Sequence, residues 1–278
     1  MSDTAVRATD LVLAYGNTVA LDRSTFVIPR GTVTAIIGPN GSGKSTLLNA
    51  IAGLIGPRRG TIEVPARGND ARRISYVLQT TKVNESLPIS VREVVTMGRY
   101  AGAGGYGRLT REDRAAVATA MERTGLTGLA TRHLHTLSGG QRQRVFVAQG
   151  LAQDHDLLLL DEPLTGIDLT TAEAIDDVIH DERSRGCTVI MTTHDLSEAR
   201  VADHVLLLST RVVASGPPDE VLTADHISAA YGAAIQHLDE GRIFIDDPAH
   251  LPASERHSHR ERTIHTEADP SEVHGDDL

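Results

Sequence analysis

The stretch Gly38–Thr46 constrains the fold of this chain more than any other part of the sequence. It reads GPNGSGKST and matches the phosphate-binding pattern G-x-x-x-x-G-K-[ST] at every defined position. The apolar, β-branched run Thr32–Ile37 before it predicts a buried strand. Leu47, Leu48 and Ile51 follow at helical spacing, with Gly53 as the C-terminal cap. A glycine-rich loop between a strand and a helix N-terminus turns backbone N–H groups toward phosphate oxygens, and the helix dipole favours their charge. We therefore expect a bound nucleoside triphosphate.

Two side chains of this loop have defined roles in such sites. The ammonium group of Lys44 reaches the β- and γ-phosphates, and the hydroxyl of Ser45 ligates Mg²⁺. A glycine-rich turn without a ligand is the alternative, and the strand–loop–helix context argues against it. The residues predicted to bind the nucleotide are Gly38, Pro39, Asn40, Gly41, Ser42, Gly43, Lys44, Ser45 and Thr46.

The composition excludes several classes of protein. The 278 residues carry a formal net charge of −10 and no long basic stripe, which argues against a nucleic-acid partner. The single cysteine, Cys187, excludes an internal disulfide and is typical of a reducing compartment. The N-terminus lacks the apolar segment of a secretory signal, and the longest apolar runs are far shorter than the roughly 20 residues of a membrane span. A soluble, cytoplasmic chain is expected.

Two carboxylates follow the most apolar segment of the sequence. Leu157–Leu160 predicts a strand buried on both faces, and Asp161 and Glu162 come directly after it. Open α/β sheets bind ligands at the carboxyl ends of their strands, so Asp161 there suits Mg²⁺ and Glu162 suits an attacking water. The alternative is a pair of solvated acids that open a loop. The predicted strand Thr188–Thr193 brings His194 to the same edge as a candidate γ-phosphate sensor, although a lone histidine is usually structural.

Tyr15 and Gln79 are two further candidates beside predicted strands. Tyr15 is expected in a loop after the strand Val6–Ala14, and a second strand is expected over Thr25–Ile28. Its ring either belongs to the core, which is the commoner case, or stacks on a base. Gln79 ends the predicted strand Ile74–Gln79, where its amide faces a metal ion or a water.

The middle of the chain changes from strand to helix patterns. Helical spacing begins at Val91, a glycine-rich loop follows over 101–109, and Thr110 with Asp113 predicts a capped helix over Arg111–Thr124. We predict a domain over 1–248 in which a helical subdomain, approximately 86–152, is inserted into the nucleotide-binding core.

Residues 249–278 are polar and without periodicity, which predicts a disordered tail rich in histidine and acids. Its histidines are either incidental in a solvated acidic tail or form a loose zinc-binding segment. The five are His250, His257, His259, His265 and His274.

A second anion site is predicted at the sequence LSGGQ, which precedes a segment with helical spacing. Its serine and glycines are placed at a helix N-terminus, where the dipole favours a phosphate. One chain cannot easily bring two such sites onto one triphosphate when they lie on different lobes, whereas two chains arranged head to tail can. The residues of this motif are Leu137, Ser138, Gly139, Gly140 and Gln141.

The ordered set of motifs resembles the ATP-binding cassette (ABC) ATPases over roughly residues 5–225. The resemblance implies an α/β protein of ABC ATPase fold: a P-loop NTPase (RecA-like) core, an N-terminal antiparallel β subdomain and an inserted α-helical subdomain. It also implies that Tyr15 stacks on adenine and that Asp168 belongs to the D-loop. Catalytic roles fall to Glu162, His194, Gln79 and Lys44, and Mg²⁺ contacts to Ser45, Gln79 and Asp161.

The resemblance extends to a group within the family. VREVVTMGRY and DEPLTGIDLTT resemble the zinc/manganese-type metal importers, while the iron–siderophore and vitamin B12 group shares the MGR sequence and is the alternative. The stretch Leu164–Ile167 departs from the aromatic and small residues of many metal-type members. The implied function is ATP hydrolysis that energises metal uptake, with ATP and Mg²⁺ as cofactors. The implied partners are a second cassette in a homodimer, a membrane permease on whose cytoplasmic side the cassette lies and, indirectly, a solute-binding protein; nucleic acid is not one of them.

A non-transport ABC ATPase is the alternative of a different class. Translation factors of the family usually carry two cassettes, whereas this chain has one phosphate loop and one LSGGQ. Repair ATPases split the cassette with long coiled coils, for which the interval between Lys44 and Ser138 leaves no room. The intact Lys44, Asp161, Glu162 and His194 argue against a silent regulatory module.

Overall fold

The structure is a computed structural model, which describes residues 3–67, 73–79, 88–100, 108–232, 235–239 and 242–245. The predicted tail 249–278 lies outside these residues, as does most of the glycine-rich loop 101–109. The division into a domain over 1–248 with a helical subdomain near 86–152 stays a prediction.

Strands open and close the described chain, and helices dominate its middle. The strands are β1 (Thr4–Tyr15), β2 (Thr18–Pro29), β3 (Val33–Ile37), β4 (Arg59–Glu63), β5 (Ile74–Val77), β6 (Leu157–Leu160), β7 (Thr188–Thr193), β8 (His204–Leu208), β9 (Val212–Gly216), β10 (Ile235–Asp239) and β11 (Arg242–Ile245). The helices are α1 (Lys44–Ala52), α2 (Val91–Tyr100), α3 (Arg111–Arg123), α4 (Gly139–Leu151), α5 (Leu169–Ser184), α6 (Leu196–Val201), α7 (Pro218–Val221) and α8 (Ala224–Tyr231). Among the described helices, none is long and apolar enough to cross a membrane.

A six-stranded sheet in the order β5-β6-β7-β3-β8-β9 forms the centre of the molecule. Its strands run parallel except β9, which pairs antiparallel with β8 at one edge. Every residue of β3, β6 and β7 is buried, as predicted for these three segments. The segments after β3, β6 and β7 therefore meet at one edge of the sheet.

The two faces of this sheet belong to two separate hydrophobic clusters. Because side chains alternate along a strand, Ile36 packs with α1 and the N-terminal strands, while Ala35 and Ile37 pack on the side of α2, α3 and α4. Burying one leucine or isoleucine side chain of this size contributes about 1.5–3 kcal/mol. The sheet is thus fixed from both sides, and with it the edge at which its strands end.

A smaller antiparallel sheet in the order β2-β1-β4 covers one side of the core. The sequence predicted a short second strand, Thr25–Ile28, but β2 begins at Thr18. The polar residues Asp22, Arg23 and Ser24 concealed the pattern. They lie where the pairing of β1 with β2 shifts register, and the backbone N–H of Asp22 bonds the carbonyl of Thr210 instead of a sheet neighbour. Separately, β10 and β11 pair as an antiparallel hairpin.

The helix ends follow the local signals that predicted them. Gly53 terminates α1 with φ 83°, a left-handed conformation that glycine adopts without steric cost. The Thr110 side chain accepts a hydrogen bond from the Asp113 backbone N–H, and the Asp113 carboxylate accepts one from Thr110. This reciprocal capping box begins α3, as predicted.

Candidate active site

The phosphate loop connects β3 to α1 through glycines that the packing requires. A Cβ at Gly38 would lie 2.3 Å from the backbone oxygen of Leu208, and one at Gly43 would lie 2.5 Å from that of Ala20. Gly43 also has φ 97°. The loop therefore presses against β8 and β2, and its path is open only to glycine at these two positions.

Lys44 begins α1, and its side chain is buried inside the loop. Its Nζ donates hydrogen bonds to the carbonyl oxygens of Gly38, at 2.7 Å, and Pro39, at 3.2 Å. These contacts hold the ammonium group within the arch of the loop, the region that phosphates occupy in such motifs. A positive charge is thus already placed where a triphosphate would need it.

Ser45 meets Asp161 although 116 residues separate them in sequence. The Ser45 hydroxyl donates to Asp161 Oδ1 at 3.2 Å, and the Thr192 hydroxyl donates to the same oxygen at 2.6 Å. Thr192 Oγ1 also accepts the backbone N–H of Glu162 at 2.9 Å. Sequence reasoning missed Thr192 because it lies inside the apolar strand β7 and carries no motif. Its hydroxyl fixes both the carboxylate and the backbone of the two acids.

Glu162 has an unusual backbone conformation and a specific partner. Its φ of 48° is left-handed, which is uncommon outside glycine and asparagine and occurs often at functional sites. Its Oε2 accepts a hydrogen bond from Gln79 Nε2 at 2.9 Å. The sequence placed Gln79 within β5, but that strand ends at Val77, so Gln79 lies in the segment beyond the sheet and can reach Glu162.

Tyr15 is the last residue of β1 and not part of a loop, which corrects the sequence prediction. It is 51 % exposed, so the core role considered for it is wrong. Its hydroxyl accepts a hydrogen bond from Asn49 Nδ2 at 3.3 Å, which ties the ring to α1 just beyond the phosphate loop. An exposed aromatic face at this place is suited to stacking on a base.

His194 directly follows β7, the strand that pairs with both β6 and β3. Its backbone therefore leaves the sheet at the same edge as Glu162 and the phosphate loop. The Asp195 side chain accepts from the Ser197 backbone N–H at 2.7 Å and caps α6 directly after the histidine. Nearby, burial raises the pKa of Glu198, which accepts a hydrogen bond from Thr193.

The LSGGQ motif forms the N-terminus of α4 and contacts the N-terminus of α5. Ser138 caps α4 by accepting the Gln141 backbone N–H at 3.2 Å, and Gln141 Oε1 accepts the Ser138 N–H at 3.1 Å. A Cβ at Gly140 would lie 2.9 Å from Thr171 Oγ1 and 3.0 Å from Asp168 Oδ2. Ser138 and Gly139 are exposed, and Leu137 is buried. The motif therefore presents an open helix N-terminus beside Asp168.

Asp168 is the N-cap of α5. Its carboxylate accepts the Thr171 hydroxyl at 2.9 Å and the Thr171 backbone N–H at 3.0 Å, and these bonds lower the pKa of Asp168. The structure thus brings one group of predicted residues together around Ser45 and Asp161, and a second group around Gly140 and Asp168.

Comparison with known proteins agrees with this arrangement. The family model described as ABC transporter matches residues 21–165. The zinc transport system ATP-binding protein TroB of Treponema pallidum is 41 % identical over 83 % of this chain and 88 % of its own length. The chelated iron transport system membrane protein YfeB of Yersinia pestis is 40 % identical over 84 % of this chain and 80 % of its own.

The fold is also similar to solved structures. An inward-facing structure of a transporter described as of metal-chelate ABC type superposes with a TM-score of 0.74 at 28 % identity, covering 87 % of this chain and 95 % of that one. This likeness and the central parallel sheet confirm the predicted fold class.

Proposed function

The chain belongs to the ABC transporter family, and from this membership we propose that it energises the uptake of a divalent transition-metal ion, zinc or manganese, through a membrane permease. As a cassette of this family it binds ATP, and its hydrolysis is coupled to transport. The observation that carries the proposal is the convergence of Lys44, Ser45, Asp161 and Glu162 at one edge of the sheet. Zinc as the cargo is supported by the relative named for a zinc transport system, and manganese by relatives named for manganese transport systems.

The residues around Ser45 fit Mg²⁺, a hard cation that prefers oxygen ligands. A hydroxyl oxygen and a carboxylate oxygen already lie 3.2 Å apart in Ser45 and Asp161, and the amide of Gln79 is the third candidate. When bound with ATP, the ion would neutralise charge on the β- and γ-phosphates. Thr192 holds the Asp161 carboxylate in place for this role.

The protein's own groups supply positioning and proton transfer. The backbone N–H groups of the phosphate loop and the ammonium group of Lys44 hold the triphosphate. Glu162 accepts the proton of the attacking water, and the Gln79 amide orients its carboxylate through the 2.9 Å hydrogen bond. His194 follows β7 at the same edge, which supports a contact with the γ-phosphate.

The signature motif belongs to a neighbouring cassette's site in this proposal. Ser138 and Gly139 are exposed at a helix N-terminus, which is a geometry that favours binding of an anion. Two chains arranged head to tail bring each signature to the other's ATP. The homodimer would lie on the cytoplasmic face of the membrane against the permease, would act together with a solute-binding protein only indirectly, and would involve no nucleic acid.

A chelated metal is the second candidate for the cargo. YfeB is named for chelated iron, and the similar solved transporter is described as of metal-chelate type. The cassette hydrolyses ATP in both cases. Only the transported solute therefore distinguishes a transporter of free metal ions from one of chelated metal.

Uptake measurements test the proposal directly. Cells that lack this chain are complemented with the wild type, with Glu162→Gln, or with Glu63→Gln, a control that changes an exposed glutamate on β4. Radiolabelled zinc, manganese and an iron chelate are supplied separately. Zinc or manganese uptake should be restored by the wild type and by Glu63→Gln but not by Glu162→Gln. Restoration of iron-chelate uptake alone would favour the second candidate, and no restored uptake of any of the three would overturn both.

A further inference from the structure

A histidine, a glutamate and the only cysteine of the chain converge at the sheet edge opposite the phosphate loop. His155 lies just before β6, Cys187 lies directly before β7, and Glu182 is in the last turn of α5. Their possible ligand atoms all lie within 4.8 Å of one another. The side chains of His155 and Glu182 are 5 % and 7 % exposed, and Cys187 is 5 % exposed. Buried groups of these three types at this separation suit a metal ion.

The orientation of His155 matches that of a metal-ligating histidine. Its Nδ1 lies 2.9 Å from the carbonyl oxygen of Gln153 and, because a carbonyl only accepts, Nδ1 carries the proton of this bond. Nε2 then faces Glu182 Oε2 at 3.0 Å. Histidine ligands in metal sites commonly donate their other N–H to a backbone carbonyl in this way, which fixes the ring and its tautomer.

Glu182 is oriented by a neighbouring arginine. Arg123 Nη1 contacts Glu182 Oε1 at 2.6 Å, while Oε2 is turned toward His155. One carboxylate oxygen is therefore held by the guanidinium, and the other points into the cluster. An outer contact of this kind positions a ligand without occupying its binding atom.

A cavity of about 490 Å³ adjoins the three side chains. It provides room for a water as a further ligand. The arginines on its walls each face a carboxylate: Arg73 contacts Asp156 at 2.6 Å, and Arg185 lies 3.4 Å from Asp181, which also contacts Arg123. Their charge is thus partly neutralised, which reduces the repulsion that a bound cation would experience.

We propose that His155, Glu182 and Cys187 form a binding site for a thiophilic divalent cation, with Zn²⁺ as the best fit. One nitrogen, one oxygen and one thiolate sulfur are a ligand set that Zn²⁺ accepts, with water completing four-coordination. Hard cations such as Mg²⁺ prefer oxygen ligands, so the set discriminates against the ion of the ATP site. The site is separate from the hydrolysis machinery and does not depend on the proposed cargo.

The competing state of the cluster is a hydrogen-bonded ion pair with no metal. Burial disfavours the charge on His155, but hydrogen bonds to Cys187 and Glu182 outweigh it and raise the pKa of His155 to about 10. Burial likewise opposes ionisation of Glu182, yet His155 and Arg123 lower its pKa to about 2. A proton on His155 can therefore take the place of the ion. The experiment must distinguish the protonated, metal-free cluster from the metal-bound one.

The site connects the opposite ends of the elements that carry the ATP machinery. The strand β6 leads from His155 to Asp161, β7 leads from Cys187 to His194, and α5 leads back from Glu182 to Asp168. A bound ion would cross-link the starts of two central strands to the end of this helix. We therefore expect an increase in melting temperature on Zn²⁺ binding that is lost when Cys187 is changed.

Cobalt substitution tests the site in the full-length protein. Because Cys187 is the only cysteine, a thiolate-to-cobalt charge-transfer band in the near ultraviolet can arise only there, whatever the histidines of the tail bind. The wild type should show the band with one Co²⁺ per chain, and Zn²⁺ should abolish it by displacement. A wild type without the band overturns the proposal, and this measurement needs no variant.

Substitutions then assign the ligands. Cys187→Ser should remove the band, and His155→Gln should weaken Zn²⁺ binding at least about 100-fold, since loss of a ligand should cost no less than loss of its outer partner. His180→Gln is the matched control, because His180 is half-exposed on α5 and faces Asp176. Equal Zn²⁺ affinity in the wild type and both site variants, each shown by circular dichroism to be folded, would also overturn the proposal.

Discussion

Glu162 has a left-handed backbone conformation, and its carboxylate accepts a hydrogen bond from Gln79. Substituting Glu162 therefore tests the role of this carboxylate. Glu162→Gln keeps the size of the side chain but removes its capacity to take a proton. We expect ATP hydrolysis to fall by about 10²–10⁴-fold, the usual contribution of a positioned general base. ATP binding should persist because Lys44 and Ser45 are unchanged. Steady-state hydrolysis and ATP titration of the purified protein measure both.

The same variant should accumulate as an ATP-held dimer on size-exclusion chromatography, because closure no longer ends in hydrolysis. Glu63→Gln, the exposed control on β4, should behave as the wild type in both assays. Hydrolysis by Glu162→Gln near the wild-type rate would assign the base to another group.

Tyr15 offers a test of base recognition that leaves the phosphate loop intact. Its ring is half-exposed at the end of β1 and its hydroxyl bonds Asn49. If the ring stacks on adenine, Tyr15→Ala should weaken ADP binding by about 1–3 kcal/mol, the value of stacking between a base and an aromatic side chain. Tyr15→Phe should keep most of the affinity. Calorimetric titration with ADP compares both with Tyr100→Ala, which removes a similarly exposed ring from α2.

Residues within local motifs could be identified from the sequence, whereas residues that act through long-range contacts could not. Lys44 and Asp161 stand in short patterns whose spacing reflects local backbone geometry. Thr192 acquires its role only when β6 and β7 pair, and the cluster of His155 with Glu182 and Cys187 depends on three separate elements. Such roles arise from tertiary structure, for which a single sequence contains no periodic signal.

At the scale of elements, the contact between the start of α4 and the start of α5 depends on one glycine. A Cβ at Gly140 would lie 2.9 Å from Thr171 Oγ1, whereas one at Gly139 would meet no atom within 4 Å. Gly140→Ala should therefore destabilise the protein by about 1–3 kcal/mol, as overpacking commonly does. Gly139→Ala should be neutral or slightly stabilising, since alanine favours a helix. Urea unfolding of the two variants compares them, and equal stability would show that the helices separate without cost.

Element boundaries were predictable where a local signal determines them. The capping box of Thr110 and Asp113 and the terminal Gly53 fixed helix ends correctly. The strand β2 was underestimated because its pairing tolerates a register shift at a polar stretch, which period-two alternation does not reveal. The sequence also predicted the end of β5 two residues too late, because Leu78 is apolar yet lies outside the sheet.

The two predicted anion sites lie on different parts of one chain. The phosphate loop ends at α1 on the central sheet, and the exposed Ser138 begins α4 among the helices between β5 and β6. Gly140 of LSGGQ packs close to Asp168 of the same chain, since a Cβ at Gly140 would lie 3.0 Å from Asp168 Oδ2. An exposed helix N-terminus beside Asp168, the N-cap of α5, is suited to a partner's phosphate, and in the proposed dimer hydrolysis would therefore be a property of two chains.

Complementation between two inactive chains tests this shared site. Ser138→Arg fills the space for the partner's γ-phosphate, and because Ser138 is exposed its cost to stability should be limited to the helix cap, about 1 kcal/mol. This variant should bind ATP through its own intact Lys44 but not hydrolyse it. Lys44→Ala disables the phosphate loop but keeps the signature. An equal mixture of the two should recover up to about a quarter of the wild-type rate, since half of randomly assorted dimers pair unlike chains and each contains one intact site of two.

A chain that carries both substitutions provides the control. Mixed with Lys44→Ala it contains no intact phosphate loop, so it should stay inactive at every ratio. Heterodimers are isolated through different affinity tags on the two chains, which separates failure to assemble from failure to hydrolyse. If isolated heterodimers of Ser138→Arg with Lys44→Ala show no hydrolysis, the signature does not act on the partner's nucleotide, because a head-to-tail pair must contain one site with Lys44 from one chain and Ser138 from the other.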